Sequence, residues 1–469
     1  MKDAVVHGEM ERQLIRTLST HAAVPAFVRR MAARIESSPL AYRLAHGVFW
    51  SFAGTALART LALAASVVTA RLLGKQGYGE FGVVNSTLLT LQTFASVGLG
   101  ATATRYVAEL RAKDPERAAR ILALSAIVSA ASGLLGMALL WAFSDSIAIH
   151  MLNAPPLAGL LRIAAVGLVF TTLNGAQVGA LAGFEAFRTL TWLNMWSGLL
   201  GVPLAVAGVW FWGLQGAVWA TVATGAVQWS LSHFAVRDEA RAYGIALGAA
   251  GWWREQRVLW SFSLPALAQG IMVAPVNWAA AAILVNQPRG YPEMGVLSVA
   301  NQWFGAVMFL PVALGGAVLP VLLERVGQGD ARGARMVLGA AVAMNTAVVV
   351  PIVAGASLAS PWIMEMYGKE FGAAWHTLVV VLITAGLVAA TTPVGNLFAA
   401  AERLWLAVLM NSGWAILFLV ATLFLVKWGA LGVATARLIA YVIHVGWTLW
   451  FALSFLRAGK QSSPRGSGA

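Results

Sequence analysis

The first residue in this chain whose chemistry needs explaining is a guanidinium set in oil. Arg59 lies near the middle of an apolar stretch spanning residues 48–70. Ser51, Thr55, Arg59 and Ser66 follow one another at spacings of four, four and seven. On a helix they form one narrow polar stripe, with Ala, Leu and Val covering the rest. A charge at bilayer depth is costly, so it must face protein or a water-filled cavity and find a partner. No Asp or Glu lies at comparable depth in any apolar stretch, so an internal ion pair is hard to build. The planar arginine fork matches phosphate oxygens. The stripe therefore reads as an anion contact whose counter-charge arrives on a ligand. The competing reading is a guanidinium tied to backbone carbonyls or neighbouring helices.

Arg437 lies in the last apolar stretch, about a third of the way in from its outer end, close enough to the interface to snorkel in part. His444, seven residues on, shares its helix face. Its titration near neutral pH makes it a candidate for ion coupling, although hydrogen-bonded packing serves equally well. Amides are numerous in the apolar stretches, and most amides there bond across helices. Gln269 and Asn277 stand eight apart on one face of the seventh stretch, and Asn301 with Gln302 sits in the eighth. These four are candidates for a wall opposite Arg59. Gly175, Gly179 and Gly183 form a ladder expected to bring helices close. Pro265, Pro275, Pro311 and Pro320 are expected to bend the seventh and eighth stretches.

The elements that must hold these groups follow from composition. Of 469 residues, 59% are hydrophobic and only 11% charged, against about 25% charge in soluble domains. Mean hydropathy is +0.74. Charge-free intervals occupy residues 81–104, 121–144, 163–184, 189–236, 258–288, 294–323, 336–364, 371–401 and 404–426. A span needs roughly 20 apolar residues, so 189–236 holds two, with a turn near Trp212-Gly213. Residues 48–70 and 429–455, each with one internal Arg, complete twelve. Long unbroken apolar runs predict helices rather than barrel strands. With a cytoplasmic N-terminus, inside segments carry 24 Lys and Arg and outside segments six, a strong positive-inside bias. The net charge of +13 thus follows topology, and no motif for binding nucleic acid accompanies it. Both termini are expected in the cytoplasm. Residues 1–46 form a basic head in which Val24, Phe27, Val28, Met31 and Ile35 recur at helical spacing. That head reads either as an amphipathic helix on the inner leaflet or as a partly ordered tail that only sets topology.

The chain is also written twice. Gly77-Tyr78-Gly79-Glu80-Phe81-Gly82-Val83 returns as Gly290-Tyr291-Pro292-Glu293-Met294-Gly295-Val296. Glu109, Arg117, Ala119 and Arg120 match Glu324, Arg332, Ala334 and Arg335, while Trp212-Gly213 and Gly216 match Trp428-Gly429 and Gly432. The matches stay in order at a slowly drifting offset, as a duplication with small loop insertions requires. Six spans per unit enter the membrane in the same sense. The expected fold is therefore an all-α integral membrane protein with about twelve transmembrane helices in two parallel six-helix lobes around a central cavity. The expected N-lobe is 47–236, the inter-lobe linker 237–260, the C-lobe 261–456 and the tail 457–469. No cysteine, Walker A, HExxH, GxSxG or paired-carboxylate motif is present. The reading is a transporter rather than an enzyme, with no cofactor and no metal site.

Several motifs resemble the polysaccharide and O-antigen flippase branch of the multidrug/oligosaccharidyl-lipid/polysaccharide exporter superfamily. Ala70-Arg71-Leu72-Leu73-Gly74-Lys75-Gln76-Gly77-Tyr78-Gly79 is similar to that family's turn between spans one and two. Gly98-Leu99-Gly100-Ala101-Thr102-Ala103-Thr104-Arg105-Tyr106 resembles its exit from span two, and Gly183-Phe184-Glu185-Ala186-Phe187 its loop between spans four and five. The resemblance runs from about residue 46 to 456. It implies two lobes, a cationic cavity, and movement of a polyprenyl-pyrophosphate-linked oligosaccharide across the bacterial cytoplasmic membrane by alternating access. Its expected partners are that lipid-linked glycan, membrane lipids and other polysaccharide assembly proteins. The expected cavity residues are Arg59, Ser51, Thr55, Gln269, Asn277, Asn301, Gln302 and Arg437. Two other readings stay open at this stage: a drug or cation antiporter of the same superfamily, and a membrane scaffold of a glycan-assembly complex.

Overall fold

The computed structural model describes residues 39–458, apart from 249, 265–266, 268–270, 316–317 and 402. The amphipathic pattern in the head and the tail after residue 458 lie outside the described residues. The described chain is all-helical. In chain order the main helices are α1 (Pro39–Ala95), α2 (Leu99–Leu110), α3 (Pro115–Ser146), α4 (Leu157–Gly183), α5 (Phe187–Ala242), α6 (Val273–Val285), α7 (Gly290–Gly315), α8 (Val318–Gly327) and α9 (Ala331–Leu358). The short α10 (Ser360–Met366) and α11 (Lys369–Gly372) follow, and α12 (Trp375–Ala400), α13 (Leu404–Leu425) and α14 (Gly429–Ala458) close the fold.

Among the described residues, seven helical segments are long and apolar enough to cross a membrane, and three of these run 40 residues or more. Those three are interrupted. Gly74 breaks α1 with φ 69° and ψ 178°, Gly213 breaks α5 with φ 56° and ψ −135°, and Gly429 separates α13 from α14 with φ 65° and ψ −141°. Positive φ is strained for a residue with a Cβ, which explains glycine at each break. Gly213 and Gly429 are matched positions of the sequence repeat, and they share one backbone conformation. Asp114 and Asp330, one residue out of register with the flanking matches, cap α3 and α9 by accepting from Arg117 N and Gly333 N. The duplication is thus visible as repeated local physics.

The two copies of the glycine motif lie against each other where α1 crosses α7. A Cβ on Gly79 would sit 1.9 Å from the Tyr291 carbonyl oxygen, and one on Gly295 would sit 2.2 Å from that of Lys75. Only glycine permits this approach. A similar contact joins α2 to α4, where a Cβ on Gly179 would fall 2.1 Å from the Gly100 carbonyl, so the ladder on α4 does serve close packing.

The hydrophobic core is continuous at one end and divided at the other. One large cluster joins Tyr78, Val83 and Leu161 of the first half to Leu284, Val299, Phe371 and Ala434 of the second. Away from it, Val107, Ile121, Leu124 and Leu181 form a separate cluster in the first half. Leu322, Ala334 and Leu397 form another in the second half. The halves are fused at the end bearing Arg71 and Lys75 and carry separate cores at the end bearing Arg117 and Arg335.

Candidate binding cavity

Between the halves lies a cavity of about 570 Å³. Arg59 and Leu63 enter it from the first rod of α1, and Tyr78 and Asn85 from the second. Asn277 comes from α6, Asn301, Gln302 and Gly305 from α7, and Arg437 from α14. Its described lining contains two arginines and no Asp or Glu. Two positive charges therefore face one volume with no fixed counter-charge. Like charges held together in a partly dehydrated site favour an anion that can bridge them.

The two guanidiniums differ in setting. Arg59 is exposed to the cavity, with Nη1 3.4 Å from where a Cβ on Gly305 would stand. The glycine leaves room for the side chain to lie against α7. Arg437 is only 7% exposed. Its Nη1 donates to Asn301 Oδ1 at 2.8 Å and its charge lies 4.8 Å from the Phe304 ring centre, a cation–π distance. Nε and Nη2 are buried and have no partner. Leaving such donors unpaired costs about 1–3 kcal/mol each, a cost that an acceptor from the cavity would remove. The expected snorkelling of Arg437 toward the interface is therefore corrected. Asn301 and Phe304 hold its head inside the protein, because an amide oxygen and a ring face replace part of its hydration.

Other sequence candidates are placed as follows. Asn277 lines the cavity while its Nδ2 donates to Val273 O at 2.7 Å. Gln302 lines it too, with Nε2 donating to Tyr78 OH at 2.9 Å. Only the backbone of Ser51 and Thr55 is described, and Gln269 lies outside the described residues. Ser66 is turned to Tyr367, with 3.3 Å between the two hydroxyl oxygens. His444 does not line the cavity; its Nε2 lies 3.2 Å from Asn411 Oδ1, between α14 and α13. Sequence reasoning did not single out Tyr78 and Trp278 as cavity wall. The repeat motif was the available signal for Tyr78, whereas nothing distinguishes Trp278 from the other tryptophans.

The cavity is roofed at the fused end. Tyr78, Tyr367 and Phe371 are almost fully buried, and Trp303 Nε1 donates to Tyr367 OH at 3.2 Å. Above them Arg71 Nε donates to Met366 O and the Lys75 amide donates to Glu370 Oε1, each at 2.6 Å. Glu370 thereby caps the rod that restarts after Gly74. At the other end the inter-lobe linker docks on the first half: Arg117 and Arg120 both pair with Glu255, at 3.2 and 3.3 Å. Ser263 and Thr102 hydroxyls meet at 2.7 Å.

Comparison with known proteins fits this architecture. The profile of a family described as "Polysaccharide biosynthesis protein" matches residues 44–325. The chain is 23% identical over 388 residues to an EPS I polysaccharide export inner membrane protein, EpsE, of Ralstonia nicotianae, covering 80% of this chain and 86% of that one. The EpsE of Ralstonia solanacearum is likewise 23% identical, over 411 residues, covering 83% and 89%. Among solved structures, the fold is similar to an inward-facing multidrug resistance MATE transporter of the MOP superfamily, with TM-score 0.74 and 15% identity over 88% of this chain and 99% of the other. It is also similar to the lipid II flippase MurJ, with TM-score 0.67 and 14% identity over 86% and 87%.

Proposed function

Because the chain belongs to the polysaccharide biosynthesis protein family, we propose that it is a flippase moving a polyprenyl-pyrophosphate-linked oligosaccharide across the bacterial cytoplasmic membrane. The observation that carries this reading is the cavity lined by Arg59 and Arg437 without a described carboxylate. A pyrophosphate brings the negative charge that such a volume lacks, and a hydrophilic glycan needs a wet route through about 30 Å of hydrocarbon. The similarity to polysaccharide export inner membrane proteins supports both the cargo class and the inner-membrane location.

Twelve spans in two parallel six-helix lobes, with both termini in the cytoplasm, is the layout we adopt. Each of the twelve apolar stretches read from the sequence carries helix, counting the rods on either side of Gly74, Gly213 and Gly429 separately. The charge bias places the fused end outside. In this arrangement the cargo's head group enters from the cytoplasmic end, its pyrophosphate bridges Arg59 and Arg437, and its isoprenoid tail stays in lipid. Parting Tyr78 from Gln302 and Lys75 from Glu370 then opens the outer end by alternating access. His444, bonded to Asn411, is kept as a candidate for ion coupling separate from the cargo contact.

The test is complementation. An Arg59→Ala variant, present at normal levels, leaves a flippase-null strain without surface glycan; full restoration would remove Arg59 from the mechanism. An antiporter for cations would want a carboxylate on the cavity wall, and the described lining has none. A scaffold would tolerate filling of the cavity. Movement of a fluorescent lipid-linked sugar in vesicles separates the three readings.

A further inference from the structure

A second cavity, of about 320 Å³, lies between the first half and the inter-lobe linker and shares no described lining residue with the central one. Its walls are α3 (Leu122, Ser125, Ala126), α4 (Leu173, Gln177) and the second rod of α5 (His233, Arg237), and Leu247 and Gly248 of the linker edge it. Three features separate it from ordinary packing space. Ser125 is 2% exposed, yet its hydroxyl has no partner, and the Gln177 side-chain oxygen is also buried and unpaired. Arg237 at the mouth is exposed and pairs with no described residue, because the neighbouring Asp238 is held by Arg241 at 3.2 Å and Glu239 accepts from Thr189. No described acidic residue lines the cavity.

We propose that this cavity binds an anionic phospholipid from the leaflet on the Arg237 side. Its phosphate sits at Arg237 and His233, its glycerol-ester region at the level of Ser125, and one acyl chain along Leu122, Ala126 and Leu173. The depths agree with that order. Arg237 lies just beyond the apolar stretch ending at 236, and Ser125 lies four residues inside the stretch starting at 121. At 1.5 Å per helical residue the two levels differ by about 6–8 Å, which suits a phosphate above an ester carbonyl. A turn of the Ser125 side chain toward the cavity lets Oγ donate to the ester oxygen and so removes the cost of an unpaired buried hydroxyl. An unpaired cation at head-group level attracts anionic lipid.

The probe is a mixture of phosphatidylglycerol and phosphatidylcholine in equal amounts, added to the detergent-purified full chain and read by native mass spectrometry. The wild type is expected to retain phosphatidylglycerol at least fivefold over phosphatidylcholine. Arg237→Gln should bring the two to parity, and Ala126→Trp should remove the retained lipid of either kind. Lys113→Gln, a cation in a loop outside the cavity, should keep the preference. The proposal is overturned if the wild type shows no preference, if Lys113→Gln abolishes it equally, or if Ala126→Trp with a normal elution profile retains phosphatidylglycerol undiminished. Arg237→Gln changes only an exposed head, so it decides the charge contact even where the tryptophan disturbs folding.

Discussion

On the proposed reading, replacing Arg437 by Met should raise the stability of the protein while weakening its hold on pyrophosphate. The two effects come from the same atoms. Without cargo, Nε and Nη2 are buried donors without partners, each costing about 1–3 kcal/mol. Methionine removes both donors and the buried charge while keeping a long apolar stem over Phe304. The compensating loss is the 2.8 Å bond to Asn301, whose amide is half-buried and can be rehydrated. Replacing buried charge by apolar volume is commonly neutral or stabilising, so the expected gain is about 1–3 kcal/mol. With cargo, the same two donors make charge-assisted bonds worth about 1.5–3 kcal/mol each. Losing both, with partial compensation by Arg59, should cost about 3 kcal/mol, or about 100-fold in affinity. Inorganic pyrophosphate and a short-chain prenyl pyrophosphate, titrated calorimetrically against the detergent-purified full chain, give the affinity. Thermal unfolding of the same preparations gives the stability. A variant that is less stable than wild type yet binds pyrophosphate unchanged would refute the reasoning, because Arg437 would then be a structural strut.

Three further outcomes follow from the geometry. Gly79→Ala places a Cβ 1.9 Å from the Tyr291 carbonyl, an overlap no rotamer can relieve, and should cost at least the 1–3 kcal/mol typical of overpacking in thermal unfolding. Gly339→Ala, with open space around its Cβ inside α9, should be neutral or stabilising by up to about 1 kcal/mol. The chain has no cysteine, so a Lys75→Cys, Glu370→Cys double variant is unambiguous. Oxidation should join α1 to α11 and stop transport reversibly, and continued transport by the crosslinked form would show that the outer seam need not open.

The placement of helices was legible in the sequence because a bilayer makes hydropathy almost deterministic. The stretch at 121–144 became α3, that at 163–184 became α4, and the break expected near Trp212-Gly213 falls at Gly213. The seventh stretch holds a π turn at Leu259–Ser263 and then α6. Of the prolines expected to bend these stretches, Pro311 sits inside α7 without ending it, Pro275 and Pro320 lie within α6 and α8, and Pro265 lies outside the described residues. The rank of the two arginines was not legible. Depth along a helix can be counted, but burial depends on which neighbours close around the side chain. Phe304 and Asn301, supplied by α7, put Arg437 inside while Arg59 stayed exposed.

From residue order alone came the membrane habit, the duplicated build and the lack of any internal counter-ion for a deep arginine. Each of these is a one-dimensional property, set by the cost of charge in hydrocarbon and by the copying of a string. Assembly in space decided the rest. It laid one copy of the glycine motif across the other, fused the cores at one end and left them apart at the opposite end, and turned two arginines from distant spans onto one cavity. Such contacts join residues far apart in the chain, and their energies depend on shape complementarity between whole helices, which no local spacing encodes.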